Sequence, residues 1–139
     1  MADKTSVLRG PKAVMVKTRN VTRSMTTATQ LATLPKGARI LFVVLRGTAS
    51  DAGTTATLSI GTSTTATELV NALDVKTAAT GSGVGVVRGV TGLTGVGAAR
   101  TADTQVYALY AETGTASANG AWQVDIVYTT GNVTDDDTV

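Results

Sequence analysis

Residues 34–47 read LPKGARILFVVLRG. A Pro-Lys-Gly turn feeds the longest apolar run in the chain, Ile40 to Leu45, held between Arg39 and Arg46. Ile40, Phe42 and Val44 fall on one parity of this run, and Leu41, Val43 and Leu45 on the other. A strand that is apolar on both parities is covered on both faces. This one is therefore expected to be the central plank of a sandwich. The opposite sheet would pack one side, and a short helix, an arm or a neighbouring subunit the other.

The rest of the composition agrees with strands. Thr, Ala, Val and Gly, at 27, 20, 18 and 15 residues, fill 80 of the 139 positions. Valine and threonine are stiff at χ1 and suit pleated surfaces. The length is that of one domain. There is no cysteine, so no disulfide and no thiolate site, and no histidine, the commonest general base and metal ligand.

Alternation places the other strands. Residues 13–21 (AVMVKTRNV) put Val14, Val16 and Thr18 on one side and Met15, Lys17 and Arg19 on the other, the pattern of an edge or arm strand. Residues 26–34 are a weaker candidate. Residues 54–61 (TTATLSIG) direct Ala56, Leu58 and Ile60 inward, and the short loop before them predicts a hairpin with 39–46. Residues 104–112 place Val106, Ala108 and Tyr110 on one face. Residues 121–130 do the same for Trp122, Val124, Ile126 and Tyr128. The glycine-rich stretch 81–97 reads as part strand, part loop. One helix of two or three turns is expected over 64–74 (TTATELVNALD), where Thr65 and Glu68 have capping-box spacing. The sum is an all-β, jelly-roll-like β-sandwich of about eight strands with one short helix and an extended N-terminal arm. The boundaries are a basic arm over 1–23, the sandwich over 24–131 and an acidic tail over 132–139.

Charge divides along the same lines. Nine basic residues and one acid give residues 1–46 a charge of +8, whereas three basic residues and nine acids give the remainder −6. Such asymmetry points to a basic arm with an acidic partner, against the plainer reading of a solvated arm. Nucleic acid is not the expected partner. The arm lacks the interleaved aromatics of single-strand binders, and the rest of the chain is acidic. No membrane is expected either, since the N-terminus MADKTSVLRGPK lacks a signal peptide's apolar stretch.

The chain offers little for chemistry. Gly83-x-Gly85 is followed by Arg88 where a dinucleotide fingerprint needs glycine, and no helical pattern follows. A serine nucleophile has no histidine to activate it. Asp51, Glu68, Asp74, Asp103, Glu112 and Asp125 are scattered singly, so spacing singles out no glycosidase pair. Asp135, Asp136 and Asp137 lack the alternating spacing of a calcium loop. No enzyme, cofactor or metal site is expected.

The stretch LPKGARILFVVLRG, followed by TTATLSIGTS and the late strand AWQVDIVYTTG, resembles a family: the small β-sandwich proteins of tailed bacteriophages. The closest style is that of the jelly-roll cement, or decoration, proteins that sit on phage capsids. The resemblance spans residues 26–130. It implies a non-enzymatic virion structural protein on the outer capsid surface, bound to the major capsid protein and stabilising the head. It also implies a homo-oligomer, a dimer or trimer. Lys4, Arg9, Lys12, Lys17, Arg19 and Arg23 would then lie along an acidic capsid face. The alternative is a tail- or fibre-associated module that contacts a host surface or sugar. That class needs exposed aromatics, for which Trp122 and Tyr107 are the candidates. Trp122 shares parity with Val124 and Ile126, which assigns it to the core.

Overall fold

The computed structural model describes residues 14–47, 50–76 and 99–130, and every regular element among them is a strand. In chain order these are β1 (Val14–Thr22), β2 (Thr29–Leu34), β3 (Arg39–Gly47), β4 (Thr55–Gly61), β5 (Val70–Asp74), β6 (Thr104–Thr113) and β7 (Ala121–Thr129). They form two antiparallel sheets, one ordered β1-β7-β3 and the other β2-β6-β4-β5. The all-β sandwich is the architecture that the alternation predicts, with seven strands described where about eight were expected.

The core lies between the sheets. β7 supplies Trp122, Val124, Ile126 and Tyr128, and β6 supplies Val106, Ala108 and Tyr110. Ala56, Leu58 and Ile60 come from β4, as their parity predicts. Tyr110 and Trp122 stack across the sandwich with ring centroids 5.4 Å apart.

The opening stretch departs from expectation at one residue. Ile40 pairs with Tyr128 and Phe42 with Val127, so Leu41 is the extra residue of a β-bulge. The bulge shifts parity, because side chains alternate with a period of two. Ile40, Val43 and Leu45 are buried in the core, while Leu41 and Phe42 are 40% and 38% exposed. Nor is β3 the central strand. β7 is, with β1 and β3 on its two sides.

Two further expectations are corrected. β3 and β4 are not a hairpin: β3 pairs with β7 in one sheet, and β4 with β6 and β5 in the other. The connection crosses between layers and is pinned as it goes. Ser50 N–H donates to Val75 O at 3.1 Å and Gly53 N–H to Thr115 O at 2.8 Å. The helix expected over 64–74 is a turn followed by β5. Thr65 and Glu68 do meet, through Thr65 Oγ1–H donating to Glu68 Oε2 at 3.3 Å. Glu68, however, also accepts from the backbone N–H of Thr62 and Ser63, which closes a turn instead of opening a helix. Ala66, with φ of 54°, is left-handed and ends any right-handed helical path there. The glycine-rich stretch 81–97, part of it read as strand, lies outside the described residues.

A loop clasp closes the end of the sandwich where β7 begins. Asp51 accepts from Ser117 Oγ–H, from the backbone N–H of Ala118 (2.8 Å) and Asn119 (2.9 Å), and from Asn119 Nδ2–H (3.0 Å). The Ser117 hydroxyl leads these donors in holding the Asp51 carboxyl down to about 2. The folded state thus favours the ionised form. Its contribution is present above the ordinary carboxylate value of about 3.9 and is lost as pH falls toward about 2. In thermal melts, Asp51→Asn is expected to lower the melting temperature at neutral pH, with the gap to wild type closing as pH drops through that window. A gap that stays constant with pH would contradict the clasp.

Gly47 ends β3 against β7. A Cβ there would lie 2.2 Å from Ala121 O and 2.7 Å from Trp122 Cα. Gly47→Ala must therefore push two backbones apart. Urea titration should show a loss of about 1–3 kcal/mol, the usual cost of overpacking.

Candidate functional site

All six carboxylates in the described residues are engaged in holding the chain's own loops and strands. Asp51 forms the clasp and Glu68 the turn after β4. Asp74 accepts from Lys76 N–H (2.8 Å), and Asp103 from Lys36 N–H (2.9 Å). Glu112 accepts from Tyr110 Oη–H (2.7 Å) and Ser117 N–H (3.1 Å). Asp125 is taken up by Thr18 and Arg46. Partial burial pushes the Glu68 carboxyl up, but the hydrogen bonds from Ser63, Thr62 and Thr65 outweigh it and leave the group below its usual range. Burial raises the Tyr110 hydroxyl, against the hydrogen bond with Ser50 and with help from Glu112. No cluster of three carboxylates that could hold a metal ion occurs among the described residues. No helix there is long and apolar enough to cross a membrane.

The aromatic side chains split as their parity predicts. Trp122 is buried in the core, 3% exposed. Tyr107 is half-buried on the outer face of the four-stranded sheet, and its Oη–H donates to Gln105 Oε1 at 2.5 Å. It borders a shallow polar groove with Thr33, Ser63 and Asp103. One half-buried ring is a poor platform for stacking a sugar.

The predicted binding residues fare unevenly. Lys4, Arg9 and Lys12 lie outside the described residues. Arg23 is exposed in the turn after β1. Lys17 and Arg19 occupy β1 positions opposite Ile126 and Val124, which face the core. They sit at the open side of the sandwich, where Arg19 Nε–H donates to Leu31 O on β2 at 2.8 Å. Inward charges at an edge strand block its pairing with other strands.

The opposite parity of β1 faces out, and there the structure assembles a surface that sequence reading missed. The register aligns three rows across β1, β7 and β3: Val14–Thr129–Arg39, Val16–Val127–Phe42 and Thr18–Asp125–Val44. Val127 is 9% exposed, walled by Val16 and Phe42 on either side. In the third row, Thr18 Oγ1–H donates to Asp125 Oδ1 at 2.6 Å, and Arg46 Nη1 meets Asp125 Oδ2 at 2.8 Å. One carboxylate thereby ties all three strands together by charge-assisted bonds. The available signal was the Val14-x-Val16 pair. Its partners could not be found without the bulge that turns Phe42 outward.

No family model and no curated protein matches the sequence. Three solved structures share the fold. A chain of the cyanophage Pam1 capsid asymmetric unit superposes with a TM-score of 0.66 at 23% identity, covering 94% of this chain and 97% of that one. A chain of the capsid of Ralstonia phage GP4 gives 0.60 at 18% identity, with 86% of both chains covered. A chain of the acid-stable capsid of Helicobacter pylori bacteriophage KHP30 gives 0.57 at 14% identity, over 86% of this chain and 90% of that one. At these identities the likeness is one of fold, and it runs nearly the full length of each chain.

Proposed function

We propose that this protein is a non-enzymatic structural component of a phage virion, a cement protein that binds the outer surface of the major capsid protein shell and stabilises the head. The observation that carries the reading is the near end-to-end fold match to a chain within a phage capsid asymmetric unit. The carboxylates among the described residues brace loops and tie strands, the use a structural protein makes of them. In this reading residues 1–23 serve as a docking arm, with Lys4, Arg9, Lys12, Lys17, Arg19 and Arg23 supplying salt-sensitive contacts to an acidic shell. Many weak sites on a repeating lattice, filled by a dimer or trimer of the protein, would add up through multivalency. A tail- or fibre-associated sugar-binding module is less well supported, because Trp122 is core.

The test is direct. Purified protein is mixed with shells of the encoding phage that lack it, and bound copies are counted after sedimentation. Saturable binding is expected, together with greater resistance of the shells to heat. Removing residues 1–12 should abolish binding while the domain still melts cooperatively. Undiminished decoration by the truncated chain would dismiss the docking arm, and an absence of binding by the full chain would dismiss the cement reading.

A further inference from the structure

The loop clasp at the end of the sandwich where β7 begins holds a reactive pair. Of the four asparagines in the chain, Asn119 alone is followed by glycine. Asn-Gly is the dipeptide most open to deamidation. A following residue without a Cβ does not hinder attack of its own backbone nitrogen on the asparagine side chain. Here the fold demands that glycine. Gly120 has a φ of 134°, and a Cβ on it would lie 2.7 Å from Trp122 Cη2. Asn119 is exposed, so water reaches it.

We propose that Asn119 is a self-modification site, an Asn-Gly pair that converts to aspartate or isoaspartate and that the Asp51 clasp keeps unreacted. The inference stands apart from the cement reading. In the reaction the Gly120 backbone N–H gives its proton to hydroxide, and the nitrogen attacks Asn119 Cγ. The N–Cγ bond forms and the Cγ–Nδ2 bond breaks. The amide nitrogen takes a proton from water and leaves as ammonia. Water then opens the succinimide at either carbonyl, giving aspartate or isoaspartate.

Two features of the clasp oppose this reaction. The first is restraint. Asp51 accepts from the Asn119 backbone N–H (2.9 Å) and from its Nδ2–H (3.0 Å), and Ser117 Oγ–H donates to Asn119 O. Any rotation of the side chain toward the Gly120 nitrogen works against these bonds, so reaction draws on local opening. The second is charge. The deprotonated nitrogen and the oxyanion formed at Cγ are both negative, and the carboxylate bound to that side chain is ionised at neutral pH. A like charge so close disfavours both species. The product removes the protection. Conversion replaces the Nδ2–H donor by a second carboxylate beside Asp51, and the two repel. Isoaspartate also lengthens the main chain by one carbon next to Gly120, which packs on the Trp122 ring that stacks with Tyr110. The change runs one way, and each converted copy has a looser sandwich end.

The experiment holds the purified full chain in mildly alkaline buffer and follows Asn119 over time by peptide mass spectrometry. The readout is the one-dalton gain of deamidation, with isoaspartate separated by chromatography. The chain unfolded in guanidinium should convert, and native wild type should convert at least about tenfold more slowly. Asp51→Ala, still folded by circular dichroism, should regain much of the unfolded rate. Gly47→Ala, destabilised with its clasp intact, should stay near wild type. Asn119→Asp, which copies one product, should melt several degrees below wild type. An unfolded chain that does not convert, or native and unfolded rates that are equal, would overturn the proposal. So would Asp51→Ala converting at the wild-type rate. A Gly47→Ala rate matching that of Asp51→Ala would credit the protection to overall stability and reject the clasp. Asn119→Asp melting with wild type would show the sandwich end indifferent to the modification and reject its opening.

Discussion

The single inserted residue at Leu41 governs how the two sheets meet. β3 must bury Ile40 at its start and Val43 and Leu45 further on, and no strand of period two can do so without a break. The bulge supplies the break. It returns Val43 and Leu45 to the core opposite Ile126 and Val124, and in the same step turns Phe42 outward beside Val127. Core and surface patch are thus two results of one local irregularity. The tie from Thr18 through Asp125 to Arg46 then locks the strands in that phase.

The fold was legible where the two parities of a strand differ in polarity. β4, β6 and most of β7 alternate in this way, and their inward sets, from Ala56 to Tyr128, are the observed core. Legibility failed where the pattern was ambiguous. The run Ile40–Leu45 is apolar at every position, so nothing in it distinguishes inward from outward. The bulge that decides the question leaves no turn residue behind. TTATELVNALD failed for a different reason. Thr65 and Glu68 have the spacing of a helix cap, but a carboxylate can satisfy the N–H groups of Thr62 and Ser63 as readily as those of a helix, and here it does.

Charge was the feature whose surroundings the sequence recorded least. Lys17 and Arg19 read as contacts for a partner; on β1 they stand opposite Ile126 and Val124, and Arg19 also donates to Leu31 O of β2. The acids, dismissed singly for lack of spacing, brace loops and tie strands. Glu68, Asp74 and Glu112 do so through near neighbours in sequence, whereas Asp51, Asp103 and Asp125 find partners far away, as with Asp51 and Asn119. No local pattern records those distant pairings.

The rung between Val14 and Thr129 has a consequence in time. It joins the first described strand to the last, so the three-stranded sheet cannot assemble until β7 has left the ribosome. Non-local pairing of this kind is slow to form. Until it does, neither Phe42 nor Val16 has Val127 beside it, and the patch does not yet exist. The outer face of the three-stranded sheet is thus a surface that exists only once everything from Val14 to Thr129 has been made.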